Sequence, residues 1–90
     1  MRVDVVAPEG LVWSGDAEMV VARGADGELG VLPLHAPLIT FLRAGDVRIR
    51  RPEGGELVVR TQGGFLEVKP DRVTVLAEGA EVDERGSGRA

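Results

Sequence analysis

The sequence contains no cysteine, and its 90 residues include only one histidine, one tryptophan and two phenylalanines. Without cysteine, the chain has no disulfide framework and no thiolate metal site. With so few aromatic side chains, its core has to be built from valine, leucine, isoleucine and alanine. This composition, together with 13 glycines, favours short strands joined by tight turns over helices.

Basic character and long apolar runs are also missing. The formal net charge is −4 and the pI is about 4.9, so a basic face for a nucleic acid backbone is not expected. The apolar runs fall far short of the roughly 20 residues of a membrane span. Asp4 stands where a signal peptide would be apolar. We expect no nucleic-acid partner, and membrane association only indirectly, through other proteins.

Apolar and polar residues alternate in many short segments separated by glycine, proline and aspartate, which is typical of an all-β antiparallel sandwich or barrel. Ala17, Met19 and Val21 are expected to share one face. Five further pairs are expected to point inward: Val3 and Val5, Val47 and Ile49, Leu57 and Val59, Leu66 and Val68, and Val73 and Val75.

The stretch from residue 27 to residue 37, Gly-Glu-Leu-Gly-Val-Leu-Pro-Leu-His-Ala-Pro, contains the histidine of the chain. Pro33 and Pro37 exclude a helix here, because proline lacks an N–H group and fixes φ. We therefore predict a strand over residues 28–32, followed by a stiff turn that presents side chains at low entropic cost. From the residues alone, His35 is a solvated or turn-bonding residue and Glu28 is an ordinary carboxylate at a strand edge.

No constellation of catalytic residues is visible, so we expect no enzyme activity, no metal and no cofactor. His35 has no cysteine to activate, and no Ser-His-Asp arrangement is suggested. Gly24, Gly27 and Gly30 lack the Gly-Lys-Ser/Thr ending of a phosphate-binding loop and do not open a helix. The basic stripe of Arg48, Arg50 and Arg51 is read as a solvated sheet face paired with Glu56.

The stretch around His35 closely resembles the signature segment of the ε subunit of F-type ATP synthases, which is called δ in mitochondria. Other segments resemble the family as well, and they occur in the family's order. Trp13-Ser14-Gly15 precedes the His35 stretch, and residues 44–49 (Ala-Gly-Asp-Val-Arg-Ile), 63–68 (Gly-Gly-Phe-Leu-Glu-Val) and 73–77 (Val-Thr-Val-Leu-Ala) follow it. The resemblance runs from about Val3 to Ala77. It implies a two-sheet antiparallel β-sandwich of about 8–10 short strands.

The resemblance also implies partners and contact residues. By position, Glu28, His35, Ala36 and Pro37 match the sandwich end that meets the polar loops of the membrane c-ring. Thr40 and the Ala7-Pro8 turn match positions that face the γ subunit. The resemblance thus implies a non-catalytic rotor subunit that links γ to the c-ring and couples proton flow to ATP synthesis, at the cytoplasmic face of a bacterial plasma membrane. The alternative is a free-standing β-sandwich module that binds a ligand or peptide at an exposed edge.

Beyond Glu78 the alternating pattern stops. We expect a β-sandwich domain over residues 1–78 and a disordered, mobile tail over residues 79–90, because Val82 is its only large apolar residue. Family members usually continue into a two-helix hairpin, which we expect this chain to lack. Val82-Asp83-Glu84-Arg85-Gly86 departs from the family's ATP-binding motif in the place of its arginine, and we expect no ATP binding.

Overall fold

The computed structural model describes residues 1–85, which form ten β-strands joined by short turns. No helix among these residues is long and apolar enough to cross a membrane. The strands are β1 (Arg2–Ala7), β2 (Gly10–Asp16), β3 (Met19–Gly24), β4 (Gly27–Val31), β5 (Leu38–Leu42), β6 (Gly45–Arg50), β7 (Glu56–Thr61), β8 (Gly64–Lys69), β9 (Arg72–Ala77) and β10 (Ala80–Arg85).

The strands form two five-stranded sheets that face each other across one core. The first sheet has the order β10-β7-β6-β3-β4, and the second has the order β5-β8-β9-β1-β2. One residue pair, Gly24 with Leu42, joins the sheets at β3 and β5. The predicted two-sheet β-sandwich is therefore confirmed. One pairing, between β1 and β9, is parallel, since no hairpin turn connects these strands or constrains their relative direction.

Aliphatic side chains fill the space between the sheets. The five pairs of residues that alternation places inside are all at most 1% exposed, and these predictions are confirmed. Trp13 is partly buried and packs against the cluster. A strand presents alternate side chains to opposite faces, so each of these short strands contributes two or three side chains to the core.

The predicted orientation of β3 is wrong by one residue. Ala17 is buried as expected, but Val20 and Ala22 are the buried residues of the strand, and Met19 and Val21 lie on its other face. The chain bends at residues 17 and 18 before the strand begins. An irregular step of one residue moves the whole following strand to the opposite face.

The expectation of a tail without regular structure from residue 79 is also wrong for residues 80–85. These residues form β10, which pairs antiparallel with β7 and places Val82 opposite Val59. Arg51 holds Glu84 through a contact of 2.6 Å between Nη2 and Oε2. One apolar residue suffices because β7 offers a row of backbone hydrogen-bonding groups to pair with. The rest of the predicted tail, 86–90, lies outside the described residues.

Candidate functional site

The connection between β4 and β5 is a tight turn tied to the neighbouring sheet. The His35 N–H donates to the Leu32 carbonyl oxygen over 3.2 Å, which closes a β-turn with Pro33 in its second position. Leu34, in the third position, has a φ of 69°, as a type II turn requires. The Leu34 N–H donates to the Pro70 carbonyl oxygen over 2.9 Å and so fixes the loop to the β8–β9 turn. The stiff turn expected after the strand is present.

His35 lies half-buried within this loop, between the exposed Leu34 and the exposed Ala36. Its Nδ1 is 2.7 Å from the Ala36 carbonyl oxygen. Because a carbonyl oxygen can only accept, Nδ1 carries the hydrogen of this contact. This geometry agrees with the interpretation of His35 as a residue that hydrogen-bonds its own turn, and it also orients the ring. His35, Ala36 and Pro37 therefore present one continuous, ordered segment.

Glu28 does not lie beside that segment. It is exposed and pairs with Arg23, one step from the β3–β4 turn, where Gly24 faces Gly27. The loop with His35 follows Val31, at the other end of β4. At about 3.3 Å per residue, Glu28 and Val31 are roughly 10 Å apart along the strand. The four residues matched to the c-ring contact thus occupy the two ends of one edge strand.

The residues matched to the γ contact are not brought together either. Pro8 is exposed, and Ala7 is 6% exposed at the end of β1. Thr40 is half-buried on β5, opposite the buried Leu66 and on the same side of the strand as Leu42. β5 and β1 are separated by β8 and β9, so the two sites are about 14 Å apart.

An apolar stripe that the sequence reasoning missed crosses the outer face of the second sheet. The side chains of Phe41, Phe65, Leu76 and Leu11 are 62, 44, 43 and 65% exposed. The strand registers align them in one row, in the order Phe41, Phe65, Leu76, Val6 and Leu11. The rings of Phe41 and Phe65 are 4.8 Å apart at a tilt of 40°. We call these five residues the apolar stripe.

The Ala7-Pro8 turn borders this apolar stripe. A shallow depression is lined by Ala7 and Pro8 together with Val6, Phe65 and Leu76. The sequence contained a signal, because Phe41, Phe65 and Leu76 are apolar residues at outward positions of alternating strands, where polar residues are usual. What the sequence did not reveal is that five such positions from five strands lie in one row.

The outer face of the first sheet is charged instead. Arg48 pairs with Glu56 at 3.7 Å, as expected, and Arg60 pairs with Asp83 at 3.6 Å. Val58 stands between Arg48 and Asp83 in the registers of β6 and β10, and it is 2% exposed. We call this surface, formed by the outward residues of β6, β7 and β10, the charged face.

The glycines singled out in the sequence lie in and beside one hairpin. Gly24 and Gly27 flank the β3–β4 turn and Gly30 lies within β4. Between residues 1 and 85, no group of three or more histidine, cysteine, aspartate or glutamate side chains is placed to hold a metal ion. Two surfaces are set apart by their side chains or by their order: the apolar stripe, and the loop that carries His35.

Comparison with known proteins gives the family of this fold. Residues 1–83 match the family model described as the ATP synthase delta/epsilon chain β-sandwich domain. The ATP synthase epsilon chain of Brevibacillus brevis is 51% identical over 82 residues, which cover 91% of this chain and 62% of the relative. That of an Exiguobacterium species is 45% identical over 85 residues, covering 94% of this chain and 62% of the relative. The chain thus spans less than two thirds of the length of these relatives.

Two solved structures have the same fold at low sequence identity. One is a chain of the Euglena gracilis mitochondrial ATP synthase, solved as an OSCP/F1/c-ring assembly, with a TM-score of 0.83 and 20% identity over 89% of this chain and 51% of that one. The other belongs to the central stalk and c-ring of the Tetrahymena thermophila mitochondrial ATP synthase, with a TM-score of 0.71 and 17% identity over 90% of this chain and 65% of that one. These likenesses show the fold, and the match over residues 1–83 shows that the chain belongs to the family of the ATP synthase delta/epsilon chain β-sandwich domain.

Proposed function

We propose that this chain is a non-catalytic rotor subunit of an F1Fo ATP synthase, which links the γ subunit to the membrane c-ring and so couples proton translocation to ATP synthesis. Membership of the delta/epsilon family carries this proposal. The relatives named above are ATP synthase epsilon chains, and the two structural relatives come from assemblies that include a c-ring. The chain would act at the cytoplasmic face of a bacterial plasma membrane, bound there through the complex.

A rotor link needs a broad surface for one partner and a stiff end for the other, and two features support this division. The apolar stripe suits a permanent partner, because obligate interfaces are more hydrophobic than the average protein surface. We assign it to γ, and the Ala7-Pro8 turn borders it. Thr40 is half-buried on the opposite side of β5 from Phe41, so it would contribute at the margin of that contact.

The other end is assigned to the c-ring. His35, Ala36 and Pro37 lie in a loop that two backbone hydrogen bonds hold in place. Such a loop loses little entropy on binding. Glu28, at the far end of β4, would reach the ring as a separate charged contact that adds mainly to orientation and association rate.

The first experiment is co-purification with γ. The chain and the γ subunit of the same organism should elute as one complex in gel filtration at micromolar concentration. The catalytic subunits alone should not bind the chain. Failure to form the γ complex would contradict the rotor function and favour a free-standing binding module.

The second experiment tests the c-ring end. Glu28→Lys combined with His35→Glu should weaken binding to purified c-ring, and the weakening should depend on salt because charge contributes. The γ complex should form as before, which makes γ binding the internal control for folding. Substitution of the exposed Glu28 should change the free energy of unfolding by about 0.5 kcal/mol or less, and the γ complex reports any larger effect at the half-buried His35. Unchanged c-ring affinity would show that these residues are not in the contact.

A further inference from the structure

Two exposed leucines stand at the tip of the loop that carries His35. The side chain of Leu34 is 81% exposed, more than any other large hydrophobic side chain of residues 1–85, and Leu32 is 56% exposed. Leu34 is also, within that range, the one non-glycine residue with a positive φ, at 69°. The most exposed apolar side chain and the least favourable backbone conformation thus coincide in one residue.

This combination works against the stability of the isolated chain. A positive φ is unfavourable for a leucine because its Cβ crowds the backbone, and glycine is the residue that a type II turn prefers at this position. The exposed side chain gains no burial in return. The loop cannot turn the leucines inward either, since backbone hydrogen bonds tie Leu34 to Pro70 and His35 to Leu32. Strain of this kind is typical of binding sites.

We propose that Leu34, assisted by Leu32, is the apolar anchor of the c-ring contact and inserts into an apolar crevice between the polar loops of neighbouring ring subunits. This inference rests on the proposed function. It adds a large apolar side chain to a contact that so far contains Glu28 and the His35-Ala36-Pro37 segment. A buried apolar centre with a polar rim is the usual anatomy of a protein interface.

The charge of the tip selects a protein partner rather than the lipid surface around the ring. Residues 32–37 contain no lysine or arginine, and the chain as a whole has a net charge of −4. Of the two basic residues on the adjoining β8–β9 turn, Arg72 is paired with Asp4 at 2.8 Å, which leaves Lys69 as the one basic residue there without such a pair to Asp4. Binding at an anionic lipid surface depends on basic residues beside the apolar ones. A rigid tip with two leucines and no basic cluster is instead suited to a crevice of defined shape.

The test compares three variants at one position. Leu34→Gly removes the side chain and relieves the backbone, Leu34→Asn keeps a residue that tolerates positive φ but is polar, and Leu34→Met keeps apolar bulk. Affinity of the γ-bound chain for purified c-ring in lipid nanodiscs is measured together with the thermal midpoint of the free chain. Binding of the same variants to nanodiscs that contain no protein is measured in parallel.

We expect Leu34→Gly and Leu34→Asn to bind the c-ring about tenfold more weakly or worse, as loss of one buried leucine implies, and Leu34→Met to stay within about threefold of the original chain. The thermal midpoint of Leu34→Gly should be equal or higher, because strain is removed. Weaker binding by a chain that is no less stable is a result that a purely structural role cannot produce.

Four outcomes would overturn the inference. If the original chain binds the c-ring and the affinity of Leu34→Gly is within about twofold of it, Leu34 is not the anchor, while the rotor function stands. If binding to protein-free nanodiscs depends on Leu34, the partner is lipid. If Leu34→Gly has a lower thermal midpoint, the side chain serves the fold instead. Failure of the original chain to bind the ring at all would contradict the proposed function as well.

Discussion

The two outer faces of the sandwich differ in a way that their shared architecture does not require. Each sheet has an apolar inner face, and each outer face is made by the alternate residues of its strands. On the charged face, those residues are arginines and acids in pairs such as Arg48 with Glu56, apart from the buried Val58 that stands between Arg48 and Asp83. On the other sheet, the apolar stripe brings two phenylalanines and two leucines into contact with water.

This difference distinguishes what the fold requires of an outer face from what a binding surface requires. Alternation of apolar and polar residues is sufficient to build a sandwich with a solvated outer face, and the charged face follows that rule. The apolar stripe departs from it over five adjacent strands. Single exposed apolar residues are common, but a contiguous row of them marks an interaction surface. The departure is thus the informative part of the surface.

The largest effect is expected on the stability of the fold, from a substitution at Gly64. This glycine begins β8, one of the strands that carry the apolar stripe. Gly64 has a φ of +144°, and a Cβ there would lie 1.9 Å from the Leu76 carbonyl oxygen. Gly64→Ala should therefore cost on the order of 4 kcal/mol or more and prevent folding under ordinary conditions. Chemical denaturation, or circular dichroism if the variant is unfolded, measures the loss.

Gly10→Ala is the matched control for that variant. Gly10 has a similar φ of +125°, but a Cβ there would meet nothing within 4 Å. Its cost should be limited to backbone strain, roughly 1–3 kcal/mol. Equal losses in the two variants would show that the close approach to Leu76 does not matter.

An intermediate effect is expected on binding rather than on stability. Phe41→Gln in the apolar stripe should weaken γ binding by about 10- to 100-fold, since a buried phenylalanine is worth about 1.5–3 kcal/mol. Arg48→Gln on the charged face should leave γ affinity within about twofold. Isothermal titration calorimetry of each variant with γ measures the two affinities. Similar affinities for the two variants would remove the basis for assigning γ to the apolar stripe.

The smallest effects are expected from two ion pairs of the first sheet, one on the charged face and one beside it. Arg51 is 23% exposed in its side chain and contacts Glu84 at 2.6 Å, whereas Arg48 is 58% exposed and contacts Glu56 at 3.7 Å. Arg51→Gln should cost about 1 kcal/mol, and Arg48→Gln should cost less than about 0.5 kcal/mol, as exposed ion pairs usually do.

Hydrogen exchange can locate the loss of stability that Arg51→Gln causes. Because Arg51 fastens β10 to the turn after β6, Arg51→Gln should speed amide exchange in residues 81–84 more than in β1 or β9. Arg48→Gln should leave the exchange of β10 unchanged. Uniform acceleration over the whole sandwich in Arg51→Gln would mean that β10 is not held separately by this ion pair.

Local alternation was sufficient to predict most of the strands and their buried faces. Val3 with Val5 or Val73 with Val75 could be placed inside because a strand has a period of two residues, and this period can be read over a few residues of sequence. The stiff turn around Pro33 was equally accessible, since proline restricts itself and the residue before it. The same local reasoning failed at β3, where the bend at residues 17 and 18 changes which residues face inward.

The relations between distant segments were decided only by the tertiary structure. β10 is ordered because β7 lies beside it, a fact that the weakly apolar segment does not contain. Glu28 and His35 are seven residues apart in the sequence, yet they lie toward opposite ends of β4, because the chain passes along this strand before it turns. The apolar stripe joins Leu11 to Leu76 through β1.

The physical reason for this division is the range over which each property is set. Sequence alone determined which residues are apolar, which segments alternate and where the chain must turn, because those properties depend on neighbouring residues. Strand order, register and the parallel pairing of β1 with β9 depend on contacts across the whole chain. Only these contacts place Val6 between Leu76 and Leu11, and so only the tertiary structure turned scattered outward apolar residues into one surface.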